Sequence, residues 1–93
     1  KMTENEWFEK GNKHQEAGKY LEAIQYYDEA IKSNPKDDVY WNNKGCSLDS
    51  LGKYLEAIQC YNEAIKLNPK SDCWNNKGYS LNSLGKHLDA IQC

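Results

Sequence analysis

From Trp41 to Pro69 the chain reads WNNKGCSLDSLGKYLEAIQCYNEAIKLNP, and most of the remaining sequence is a copy of that stretch. Upstream, Trp7, Gly11, Gly18, Tyr20, Ala23 and Pro35 precede Trp41, Gly45, Gly52, Tyr54, Ala57 and Pro69 by 34 residues each. Downstream, Trp74-Asn75-Asn76-Lys77-Gly78 follows Trp41-Asn42-Asn43-Lys44-Gly45 by 33. A fixed period of this size marks an array of units that cannot bury their apolar faces singly and must stack to do so.

Composition agrees with one small stacked domain. A length of 93 residues makes a single globular core thin, whereas a stack draws stability from each neighbour interface. Three Trp, seven Tyr and one Phe supply ring-sized contacts between thin helical layers. The chain has 12 Lys, no Arg and 14 Asp or Glu, with the lysines spread along it. Phosphate binding needs a dense basic face, so no nucleic acid partner is expected. No apolar run approaches the roughly 20 residues of a membrane span and no secretory segment stands near the start, so no membrane partner is expected either. A cytoplasmic protein is the default. Lys1 ahead of Met2 is set aside from the fold argument. Cys46, Cys60, Cys73 and Cys93 form no CxxC pair and have no matching His cluster. They read as free, partly buried thiols in a reducing compartment, with no metal and no cofactor implied.

In chain order, Thr3-Glu4-Asn5-Glu6 has the spacing of a capping box and predicts a helix through Trp7, Gly11 and His14 to Gly18, a residue able to close it. The segment from Tyr20 to Ile31 puts Tyr20, Ala23, Ile24, Tyr27, Ala30 and Ile31 on one helical stripe, and Asn34-Pro35 stops it. The middle unit repeats this: Asp37 or Asp38 caps a helix carrying Trp41, Gly45, Leu48 and Leu51, and Gly52 turns the chain. A second helix then carries Tyr54, Ala57, Ile58, Tyr61, Ala64 and Ile65 up to Asn68-Pro69. Glycine within a helix costs roughly 1 kcal/mol against alanine, so Gly11, Gly45 and Gly78 need a reason. Close approach of the paired helix is the simplest, with Ala23, Ala57 and Ala90 as the expected opposing small residues.

Trp7-Gly11-Ala23-Tyr27-Pro35 and Trp41-Gly45-Ala57-Tyr61-Pro69 resemble the tetratricopeptide repeat, whose 34-residue pattern describes a helix-turn-helix unit. The resemblance covers nearly the whole chain. It implies an all-α fold, a right-handed superhelix (α-solenoid) of antiparallel helix-turn-helix units, as a single domain over residues 1–93. Repeat 1 is expected at about 4–37, repeat 2 at about 38–70 and an incomplete repeat 3 at about 71–93. Lys10, Lys44 and Lys77 stand where the family usually has Leu, which is tolerable if their alkyl stems lie along the groove and the ammonium reaches water. The residue lost in Pro69-Lys70-Ser71-Asp72-Cys73-Trp74 should shorten the connection rather than break the helix. Copy three keeps Trp74, Gly78, Leu81, Gly85 and Ala90, but its second helix, from His87 to Cys93, is about two turns and too short to stand without packing. A piece of a longer array, or an open end covered by another molecule, are the alternatives.

By the same resemblance, the side of each first helix opposite the Trp-Gly stripe lines a concave surface that holds peptides of partner proteins. The candidate peptide-binding residues are Phe8, Asn12, Asn42, Asn43, Cys46, Asn75, Asn76 and Tyr79, an amide-rich and almost uncharged lining. Asn offers both a donor and an acceptor to an extended peptide backbone, and Phe8 and Tyr79 offer an apolar anchor. The other reading of the amides is structural: solvated positions retained by duplication, or Asn43 and Asn76 bracing neighbouring helices. Some family members clamp a C-terminal carboxylate with Lys, Asn and Arg. Asn12 and Asn43 match that motif, but Phe8, Asp72 and Asn76 fill its basic positions, which disfavours a clamp here.

Catalysis finds no constellation: His14 and His87 have no reason to meet, and no Ser or Cys has a His placed to activate it. The chain therefore reads as a scaffold or adaptor, not an enzyme, with a protein or peptide partner. Self-assembly into a homo-oligomer through Leu84, Ala90 and Ile91 at the open end, or a regulatory part of a larger enzyme, are the alternatives.

Overall fold

In the computed structural model the described residues are 1–92, with side chains through 88, and they form five helices and no strand. These are α1 (Glu4–Glu16), α2 (Tyr20–Ser33), α3 (Asp38–Ser50), α4 (Tyr54–Leu67) and α5 (Cys73–Gln92). Each helix packs on the next, and α1, α3 and α5 lie side by side. The extents, 50 × 29 × 17 Å, leave room for two helix layers across the thinnest direction. First helices make one layer and second helices the other.

The local rules explain the ends. At α1, Thr3 N donates to Glu6 Oε1 at 2.9 Å and Glu6 N to Thr3 Oγ1 at 3.2 Å, a complete capping box of about 1 kcal/mol. Asp37 is the cap of α3, accepting from Val39 N at 2.9 Å. Gly18 and Gly52 turn the chain with φ of 78°, a conformation any side chain would strain.

The core is the stripe of second helices. Ala23, Tyr27 and Ala30 of α2 and Ala57, Ile58, Tyr61 and Ala64 of α4 are buried. The partner of each first-helix glycine differs from expectation: the missing Cβ of Gly11 faces the Tyr27 ring and that of Gly45 the Tyr61 ring, each 2.5 Å from the nearest ring carbon. Ala23 and Ala57 are buried beside them but are not the opposing surface. Glycine is thus the socket for a phenol ring. Lys10, Lys44 and Lys77 set their ammonium groups over the rings of Tyr26, Trp41 and Trp74 at 5.9, 5.9 and 5.6 Å, so each gains cation–π attraction, with Lys44 and Lys77 half-buried and Lys10 exposed. Lys44 Nζ also pairs with Asp28 at 2.7 Å.

The third copy departs from its expected form. Residues 85–92 do not turn back: α5 runs through Gly85 as one helix of 20 residues, and Gly85 does not take the positive φ of Gly18 and Gly52. No ring among the described residues is seated at Gly78: nothing lies within 4 Å of its Cβ site. With no ring to seat, a turn at Gly85 gains no packing, and continuing the helix saves its backbone hydrogen bonds at a cost of about 1 kcal/mol for the glycine.

Trp74 is consequently 54 % exposed, although its indole N–H reaches Pro69 O at 2.9 Å just as Trp41 reaches Pro35 O. Trp41, beneath α4, is half-buried against the core. Leu81 and Leu88 continue the Trp74 face at helical spacing and are equally open, while Leu84 is half-buried beside the α3–α4 turn. The side chains of Ala90 and Ile91, and all of Cys93, lie outside the described residues. The deletion before Trp74 also acts differently from expectation. The α4–α5 connection, residues 68–72, is no shorter than that of α2–α3, residues 34–37; α5 instead starts closer to its Trp than α3 does. Buried Cys73, in the place of Tyr40, opens α5, and Ser71 Oγ accepts from its N–H at 3.3 Å.

Candidate functional site

The glycine sockets have a second effect, on the opposite side of the first helices. Because Gly11 lets the Tyr27 ring cross α1, the Tyr27 hydroxyl emerges among polar residues, with Asn12 Oδ1 at 2.6 Å and Gln15 Oε1 at 2.9 Å as acceptors for its one proton. The same two groups reach α3: Asn43 Nδ2 donates to Asn12 Oδ1 at 3.1 Å and Ser47 Oγ to Gln15 Oε1 at 2.9 Å. One repeat along, the Tyr61 hydroxyl crosses Gly45, donates to Asp49 Oδ2 at 3.0 Å and has Cys46 Sγ at 3.6 Å. From α5, Ser80 Oγ donates to Asp49 Oδ1 at 2.6 Å and Asn76 Nδ2 to Asn42 Oδ1 at 3.0 Å. A ladder of side-chain hydrogen bonds thus ties α1 to α3 and α3 to α5.

Burial keeps these groups protonated. It pushes the Tyr27 phenol up to about 12, and it raises Tyr61 further, with Cys46 and the Asp49 carboxylate adding to the effect. Burial first and Asp49 second raise the Cys46 thiol, and burial lifts Cys60 to about 11. Neutral thiols of this kind are poor nucleophiles. His14 is half-buried and donates through Nδ1 to Lys10 O at 2.8 Å, while His87 is exposed on α5.

The structure separates the candidate residues by what they touch. Asn12, Asn42, Asn43 and Asn76 are partly buried and hydrogen-bonded to one another across helices, which is the bracing alternative of the sequence reading. Phe8 is half-buried, with the Tyr27 ring 5.9 Å and the Tyr40 ring 4.9 Å away, so it joins α1 to α2 and α3. Asn75 and Tyr79 are exposed on α5, Tyr79 by 66 %. Cys46, Asn76 and Tyr79 meet at one cavity of about 230 Å³ between α3, α4 and α5, whose other walls are Asp49, Ser50, Tyr54 and Tyr61.

Tyr54 and Tyr61 fall on the core stripe by spacing, yet both also wall this cavity. The available signal was the glycine one helix earlier, which lets a tyrosine end on the far side. A second depression, between the start of α3 and the α4–α5 connection, is walled by Asp38, Val39, Asn42, Asn68, Lys70 and Asp72 among others. No helix among the described residues is long and apolar enough to cross a membrane.

Known proteins provide the comparison. The family model described as "Tetratricopeptide repeat" matches residues 5–37 and 39–71. Among solved structures, the first TPR domain of Spaghetti (RPAP3) bound to the HSP90 peptide SRMEEVD is 30% identical, with a TM-score of 0.82 over 92% of this chain and 71% of that one. The second TPR domain of the same protein, bound to the same peptide, is 27% identical, with a TM-score of 0.84 over 96% and 83% of the two chains. The Sgt2 TPR domain from Aspergillus fumigatus, at 21% identity and a TM-score of 0.85 over 91% and 57%, shares the fold. No curated protein matches the chain. Two matched repeats that coincide with the α1–α2 and α3–α4 pairs span most of the sequence, and the chain belongs to the tetratricopeptide repeat family.

Proposed function

We propose that the polar side of α1, α3 and α5 is a groove that holds a peptide segment of a partner protein, so that the chain works as an adaptor. The observation that carries this reading is the exposed strip around Tyr79 and Asn75 beside an open cavity, on a helix stack whose neighbours in the same family were solved with a peptide bound. The grip differs from an amide ladder. Asn12, Asn42, Asn43 and Asn76 already serve one another, which leaves Asn75, Tyr79 and the cavity to meet a guest.

The groove has no basic clamp for a terminal carboxylate. Phe8 is packed among aromatic rings, Asp72 is acidic and exposed, and charge-assisted bonds to a carboxylate need a cation. The acidic peptide SRMEEVD should therefore bind this chain no better than a scrambled control in a calorimetric titration. Short peptides selected from a random phage library should bind and shift NMR signals of α3 and α5. Tyr79→Ala should weaken them about tenfold, the loss typical of an aromatic anchor. Unchanged affinity in Tyr79→Ala and Asn75→Ala, or contacts mapped to Leu21 and Leu55 on the outer layer, would reject the groove.

A second reading, self-association, is favoured by the open Trp74, Leu81 and Leu88 face of α5. The space beside Gly78 on that face leaves room for another helix to approach closely, and a second copy is the occupant of this reading. Sedimentation that stays monomeric at high protein concentration removes this reading.

A further inference from the structure

We infer that the cavity between α3, α4 and α5 is a subsite for one positively charged side chain, lysine or arginine, of the segment held in the groove. The inference rests on the groove reading and adds a charge preference to it. Size comes first: about 230 Å³ lies below the roughly 300–1,000 Å³ of sites that enclose whole small molecules, and it suits a single side chain.

Charge comes next. Asp49 is the only ionised group among the cavity walls, and it is half-buried. No basic residue pairs with it among the described residues, where the one ion pair joins Lys44 to Asp28. A partly buried carboxylate without a counter-ion attracts an incoming cation more strongly than one in open water does, because the local dielectric is lower. The carboxylate is also fixed in place. Ser80 donates to Oδ1 and Tyr61 to Oδ2, which uses two of about four acceptor positions and leaves the others for a guest. A held acceptor loses little freedom on binding.

The walls favour the same guest. Tyr54 and Tyr79 are among the cavity walls beside the buried Tyr61, and Tyr79 stands 66 % exposed at its edge. Aromatic faces attract cations and cover the apolar stem of a lysine. The chain already uses that pairing three times within itself, with Lys10, Lys44 and Lys77 over aromatic rings. An acidic side chain would meet Asp49 as a like charge and is excluded.

The test is an NMR titration of the full chain with N-acetyl-lysine-N-methylamide, with the norleucine and glutamate analogues alongside. The lysine probe should shift the amide signals of residues 46–50 and 76–80 saturably, with an affinity in the millimolar range. Norleucine should bind at least about fivefold more weakly and glutamate not at all. Tyr79→Ala, at an exposed position that leaves packing untouched, should weaken the lysine probe about threefold to fivefold, and added salt should weaken it further. Equal binding of norleucine or glutamate, shifts elsewhere, or no shifts would overturn the subsite. The probe carries no extended backbone, so its result is separate from that of the selected peptides: peptide binding without lysine binding sinks the subsite and spares the groove. Lysine binding without peptide binding does the reverse.

Discussion

Gly45→Ala is expected to lower folding stability by about 2–3 kcal/mol, read as a fall in the urea midpoint monitored by circular dichroism. The direction is informative because alanine is the better helix former, and in an exposed helix the same change would gain about 1 kcal/mol. At Gly45 the added methyl would sit 2.5 Å from Tyr61 Cε1 and 2.8 Å from Cδ1. The ring has nowhere to go: Tyr61 is 1 % exposed, and its hydroxyl is bonded to Asp49. Gly78→Ala is the internal control, since the corresponding space on α5 is empty within 4 Å. It should raise stability by about 1 kcal/mol. Two shifts of the same sign would show that the tyrosine sockets are not what holds the repeats together.

Tyr61→Ala should cost more, about 3–5 kcal/mol, the range for removing a large buried ring. For a chain of this length, total stability is expected to be on the order of 5–14 kcal/mol, so the substitution removes a large share of it. The loss has two parts. Emptying the socket beside Gly45 leaves a void among Leu48, Ala57, Ala64 and Cys73, and removing the hydroxyl takes a hydrogen bond from Asp49. Tyr61→Phe separates them, keeping the ring and giving up only about 1 kcal/mol. If Tyr61→Phe and Tyr61→Ala melt together, the stability resides in the polar ladder and not in the ring.

Much of this was legible from residue spacing. The 34-residue offset, the glycine turns and the capping box each act through neighbours in the chain, so spacing assigns Thr3, Gly18 and Gly52 to their places and narrows the α3 cap to Asp37 or Asp38, of which the structure uses Asp37. What failed to show were effects carried between helices. Gly11 and Gly45 were seen to need a close partner, but spacing does not tell whether alanine or a tyrosine ring fills the gap. The third copy kept the turn glycine, Gly85, yet α5 runs straight through it with nothing seated at Gly78. Along α3 and α5, spacing places equivalent amides, but whether an amide meets a neighbour or solvent depends on the distance between two helices. Asn42 and Asn75 look alike in sequence and differ in the structure: one is bonded to Asn76 and the other is exposed.

The side-chain bonds that run from α1 to α3 to α5, at 2.6 to 3.1 Å where nitrogen and oxygen atoms meet, have a mechanical meaning. Such bonds weaken steeply when stretched or bent, whereas among the described residues α2 and α4 make no direct contact with one another. A strip with one stiff edge and one compliant edge flexes unequally. This one resists motions that part its first helices and yields more readily to motions that part α2 from α4.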